Sequence, residues 1–139
     1  MTATKITVQA TVLGNSGKVW ECYTSPKHIV GWNFASLDWH CPSASNDLQV
    51  GGKYIARMEA KDGSFGFDFW AVYDEIITNK KLAYTMGDGR QAAVIFDGMQ
   101  NNTTTVTITF EAENVNPVDL QKTGWQAILN NFKQYVESI

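Results

Sequence analysis

Between Gly51 and Phe110 apolar and polar residues alternate in one short run after another, and a single later segment is long enough to cover the sheet those runs would build. This combination of a meander with one covering helix restricts the fold more than any other feature. Tyr54, Ala56, Met58 and Ala60 share one strand face, with Arg57 and Glu59 opposite. Gly51-Gly52 opens that strand, and Asp62-Gly63 supplies a tight turn after it. Phe65, Phe67, Phe69, Ala71 and Tyr73 then alternate with Gly66, Asp68, Trp70, Val72 and Asp74, which predicts a long strand with one strongly aromatic face. Asn79-Lys80 and Asp88-Gly89 turn the chain on either side of Leu82, Tyr84 and Met86. Ala92, Val94 and Phe96 form the next strand and, after a loop at 98–102, Val106, Ile108 and Phe110 form the last.

Beyond Pro117, the residues Val118, Gln121, Trp125, Ile128, Leu129, Phe132, Tyr135 and Val136 recur at helical spacing. A helix of ~20 residues is about 30 Å long, enough to span a sheet of this size. The sheet needs one face covered, so the helix is expected to lie across it, and a curved sheet gripping a helix leaves room for a ligand between them. At the start of the chain, Ile6, Val8, Ala10 and Val12 alternate as a strand. Asn15 or Ser16 then caps a helix whose apolar face is Val19, Trp20 and Tyr23, and Ser25-Pro26 stops it. A short turn from Lys27 to Gly31 follows, and Asp38 to Cys41 alternates again before Pro42. The order is strand, helical corner, six-stranded meander and long helix, an α+β architecture expected to form one domain over residues 1–139.

Eleven Lys plus Arg stand against fourteen Asp plus Glu, with no basic run, so nucleic acid is not an expected partner. No apolar stretch approaches the ~20 residues of a membrane span, and the N-terminus lacks the apolar core of a signal peptide, which predicts a cytoplasmic protein. Cys22 and Cys41 fit neither a disulfide framework nor a zinc knuckle and are expected as free thiols. His28 and His40 lack metal-pair spacing, so neither a metal nor a cofactor is expected.

Five Trp, five Tyr and seven Phe exceed what a core of this size requires and direct attention to a pocket. The residues expected on inward faces or at the helical mouth are Trp32, Phe34, Trp39, Tyr54, Met58, Phe67, Phe69, Tyr84, Trp125, Leu129 and Phe132. Arg57 and Arg90 are the only arginines, candidates either for holding a ligand's anionic end or for structural ion pairs with Asp68 or Asp88. Asp68 points outward if its aromatic neighbours point inward. Together with His40 it is the first suspect for proton transfer, but no catalytic constellation accompanies either residue, and none is assigned.

The segments "GWQAILNNFKQYVE" at 124–137, "AKDGSFGFDF" at 60–69 and "NDLQVGGKY" at 46–54, with "WNFASLDWH" at 32–40 and "DGR" at 88–90, resemble a known bacterial group. It is the family of homologues of the activator of the 90-kDa heat-shock protein's ATPase, within the START-like helix-grip superfamily. The resemblance implies a β-α-α-β6-α fold whose sheet–helix cavity serves, across the superfamily, for lipids, sterols, plant hormones and polyketides. It leaves three readings of function. The first is a small hydrophobic or amphipathic ligand held in the cavity. The second is a chaperone partner, linked to stress response, docked on an outer face formed by Trp70, Val72 and Ile76. The third is a cyclase- or hydratase-type enzyme using the same cavity. An edge strand of such a sheet also offers a route to a homodimer.

Overall fold

The computed structural model describes residues 4–139. Its elements run β1 (Lys5–Leu13), α1 (Ser16–Thr24), α2 (Pro26–Ile29), β2 (Trp39–Asn46), β3 (Lys53–Ala60), β4 (Gly66–Ile77), β5 (Lys81–Met86), β6 (Gln91–Met99), β7 (Thr103–Glu111) and α3 (Val118–Ser138). All seven strands form one curled antiparallel sheet in the order β1-β7-β6-β5-β4-β3-β2, a half-barrel closed by α3. The meander follows from its turns, with Gly63 at φ 77° and Gly89 at φ 91° taking up the left-handed backbone that tight hairpins need. The Asn15 side chain accepts from the Lys18 N–H at 2.9 Å, fixing the start of α1, and Pro26 begins α2 where a missing N–H costs nothing.

Two irregularities depart from the simple alternation. The register of β4 against β5 shifts between Tyr73 and Glu75. This bulge turns Ile76 inward, opposite Leu82 and against the core, so it does not join Trp70 and Val72 on the outer face as their spacing predicts. Likewise β2 does not end at Pro42. It continues to Asn46 through a second bulge between His40 and Ser43, which an edge strand permits because the missing proline N–H faces no partner strand.

The long helix covers the concave face as expected, packing most closely beside β1 and touching α1, while a cavity separates it from β3, β4 and β5. The Gln126 amide explains this placement: its Oε1 accepts from the Gln9 N–H at 3.3 Å and its Nε2 donates to the Gln9 carbonyl at 3.1 Å. Glu137 accepts from the Leu13 N–H at 2.9 Å. The free edge of β1 is thus occupied by helix side chains at Gln9 and Leu13, and the opposite edge, β2, is broken by Pro42 and its bulge. Neither edge offers a second copy a regular row of backbone groups to pair with.

Beneath α3, Leu129, Phe132 and Val136 are each no more than 1% exposed. The Phe132 ring meets Trp32 at 4.9 Å and Tyr23 at 5.2 Å between centroids, and Trp20 and Tyr23 in turn meet Phe96 at 5.2 and 5.4 Å. This aromatic layer joins α1, α3 and β6. Phe132→Ala is expected to lower stability by about 3–5 kcal/mol, read from urea unfolding followed by tryptophan fluorescence; a loss under ~1 kcal/mol would show that the layer is not the anchor of α3.

Candidate functional site

Where α3 stands off the sheet, a cavity of about 300 Å³ remains. Its floor is the inner face of three neighbouring strands: Tyr54 and Met58 from β3, Phe67, Phe69, Ala71 and Tyr73 from β4, and Leu82 and Tyr84 from β5. Trp125, Ile128 and Leu129 of α3 form the roof. Tyr23 of α1 with Trp32 and Asn33, from the segment after α2, form one wall, and Ile108, Arg90 and Glu113 complete the enclosure. Trp125 is fixed by stacking on Phe110 at 3.9 Å and 14°, which holds the roof at a defined height.

Eight of the eleven apolar residues expected at a pocket therefore border one: Trp32, Tyr54, Met58, Phe67, Phe69, Tyr84, Trp125 and Leu129. Three do not. Phe132 lies one turn beyond Leu129 and is sealed in the aromatic layer, fully buried. Phe34 sits half-buried in the segment before β2, where its carbonyl accepts from Asn131 of α3. Trp39 packs on Phe65 and Phe67 at 5.9 and 6.2 Å, extending an aromatic cluster from the cavity wall towards the β3–β4 turn.

Of the polar candidates, only Arg90 lines the cavity. Arg57, Asp68 and His40 belong to the opposite face, as strict alternation with Phe67 and Phe69 requires. There Arg57 pairs with Glu59 at 2.8 Å and with Asp68 at 3.5 Å, and His40 lies 3.7 Å from the same glutamate. Asp68 and His40 thus cannot reach a molecule in the cavity. Arg90 also has structural partners: its Nε donates to Asp88 at 2.7 Å and its Nη1 to the Glu111 carbonyl at 3.0 Å. Burial acts to raise the Asp88 carboxyl, but hydrogen bonds and charge from Arg90 hold it below its ordinary value. Among the described residues no three His, Cys, Asp or Glu side chains gather as metal ligands would. Cys22 and Cys41 are both free and buried, and burial pushes both thiols up.

The polar character of the cavity comes mainly from tyrosine. Asn33 donates to the Tyr54 hydroxyl at 3.0 Å, and Tyr73 donates to Asn46 at 2.8 Å. Desolvation raises the phenol of each of Tyr23, Tyr54, Tyr73 and Tyr84, with Tyr73 pushed up to about 12. Repulsion from the neighbouring would-be phenolates adds to the effect at Tyr23, Tyr54 and Tyr84. Tyr73 and Ala71 continue the alternation of Phe67 and Phe69 and were open to the same reading. Asn33 and Glu113 lie in irregular segments where no periodicity points inward.

A curled seven-stranded sheet closed by one long C-terminal helix, with a cavity between, defines a helix-grip protein of the START type. The sequence pattern of the family described as "Activator of Hsp90 ATPase homolog 1-like protein" matches residues 15–137, and the chain belongs to that family. The solution NMR structure of the AHSA1-like protein from Aeromonas hydrophila is 40% identical with a TM-score of 0.91, covering 97% of this chain and 93% of that one. The solution structure of a protein from Cytophaga hutchinsonii is 48% identical with a TM-score of 0.82, covering 96% and 92%. A Chromobacterium violaceum protein shares the fold at 18% identity, with a TM-score of 0.85 over 96% of this chain and 98% of that one. Among curated proteins none matches the chain.

The raised phenols set a pH dependence. The folded state holds these protons more tightly than the unfolded chain, so their contribution is complete below the unfolded value of ~10 and is lost as pH climbs through the folded values. Tm is expected to fall steeply above pH ~10, while the native protein lacks most of the tyrosinate absorption that the urea-unfolded chain, with five tyrosines, shows at pH ~11. Equal absorption in the two states would mean that the hydroxyls are solvated.

Proposed function

We propose that the protein is a binding module that takes up a small hydrophobic or amphipathic molecule in the space between β3–β5 and α3. The observation that carries this reading is a cavity of about 300 Å³ walled by aromatic and aliphatic side chains with a few convergent hydroxyls. Ligand pockets generally span ~300–1,000 Å³, so this one fits a molecule of one or two rings or a short chain better than a sterol. Such a pocket buries most of a small ligand's surface, and burial of apolar area supplies the affinity.

The outer face supports a chaperone-directed role less well. Trp70 is 39% exposed there and lies under the Lys53 ammonium at 4.3 Å, but the β4 bulge withdraws Ile76 and shrinks the apolar patch. A proton-transfer enzyme built on Asp68 or His40 has neither group within its cavity.

Native mass spectrometry of the purified protein, followed by a thermal-shift screen of short fatty acids, aromatic acids and phenols, tests the binding reading. A ligand at about 100 times its Kd adds about 2.7 kcal/mol to stability, a shift of several degrees in Tm. Ala71, 1% exposed in the centre of the floor, is the place to close the cavity. Ala71→Phe is expected to abolish the ligand-dependent shift while leaving the far-UV circular dichroism unchanged. A shift that survives this substitution would place the ligand elsewhere.

A further inference from the structure

The cavity wall carries hydrogen-bonding capacity that the protein does not use itself, and this capacity is neutral. Tyr84 is 9% exposed and lines the cavity, and its hydroxyl has no hydrogen-bond partner among the described residues. Tyr23, on the adjoining wall, is in the same condition. No fully buried side-chain polar atom among the described residues lacks a partner, so these two hydroxyls are not sealed into apolar packing but open onto the cavity. Tyr54 accepts from Asn33 and keeps its own proton available.

The charged groups beside them do not favour an anion. The Arg90 guanidinium is engaged by Asp88 at 2.7 Å and by the Glu111 carbonyl at 3.0 Å, and Glu113, which also borders the cavity, has its carboxylate engaged by Asn116. The one cation of the lining is thus already paired, which leaves no free positive charge to offset the desolvation of a ligand carboxylate. We propose that the cavity selects a small neutral molecule carrying a carbonyl or hydroxyl oxygen on an apolar ring frame. That oxygen accepts hydrogen bonds from Tyr84 and Tyr23, and a carboxylate of the same shape is rejected. This inference rests on the binding reading above and names the chemistry of its ligand.

Four probes of one frame test it by isothermal titration near neutral pH: naphthalene, 2-naphthol, 2-acetylnaphthalene and 2-naphthoate. The two neutral oxygen-bearing probes are expected to bind about tenfold or more tightly than 2-naphthoate. Tyr84→Phe, which keeps the ring and removes one oxygen, is expected to weaken 2-acetylnaphthalene about fivefold and naphthalene not at all. Asp88→Asn, which releases the guanidinium, is expected to raise 2-naphthoate affinity several-fold. Binding of 2-naphthoate as tight as that of the neutral probes, or a silent Tyr84→Phe, overturns this inference and leaves the binding module standing. Failure of all four probes, naphthalene included, overturns both.

Discussion

The position of α3 is set by the bonds that hold it to the edge of β1, and most of the remaining structure depends on that position. Gln126 and Glu137 bind the Gln9 and Leu13 backbone on the open side of β1. Leu129, Phe132 and Val136 bury the helix's apolar stripe close by. These edge bonds and the buried stripe act together, so the helix is held at the β1 side of the sheet. The sheet nevertheless curls onwards through β5, β4 and β3, leaving the far side of the concavity to be bridged by side chains alone. Trp125, held flat on Phe110, and Phe69, whose ring lies 6.4 Å from that of Trp125, span part of this distance, and the rest is cavity.

This one-sided grip separates two kinds of apolar residue that otherwise look alike. On the β1 and α1 side, aromatic rings meet edge to face at 5–6 Å spacings and serve as core. On the β3–β5 side, four tyrosines present hydroxyls to a common space, two of them tethered by Asn33 and Asn46. The outer face carries the ion-pair network of Arg57, Glu59, Asp68 and His40, whose side chains are roughly 37–59% exposed, so it contributes little to stability. The charged candidates and the aromatic candidates thus fall on opposite faces of the same strands.

How far the sequence could be read depends on where periodicity operates. Along β3, β4 and β5 the period of two is strict enough that Tyr54, Met58, Phe67, Phe69 and Tyr84 could be assigned inward and Asp68 outward from spacing alone. The same rule fails after Tyr73, because a bulge adds a residue without leaving a distinct mark such as glycine or proline, and Ile76 changes face. Helical periodicity places Phe132 on the same stripe as Leu129, but it does not show where along the stripe the cavity ends; that is set by the meeting of α1 with α3. Asn33 and Glu113 come from segments without repeating structure, and they reach the cavity through connections that only the folded chain brings together. Arg90 could not be assigned from spacing, because it lines the cavity and yet pairs with Asp88.

The central claim is that α3, held at β1, leaves a ligand-accessible space over β3–β5. Methyl-resolved NMR of the protein titrated with toluene tests it most directly, since Met58, Ala71, Leu82, Ile108, Ile128 and Leu129 all present methyl groups to the cavity. Saturable shifts confined to these six, with the fully buried Val19 and Val136, which do not line the cavity, unmoved, are the predicted result. Shifts centred on those two valines, or none at saturating toluene, would contradict it and make the aromatic floor ordinary core.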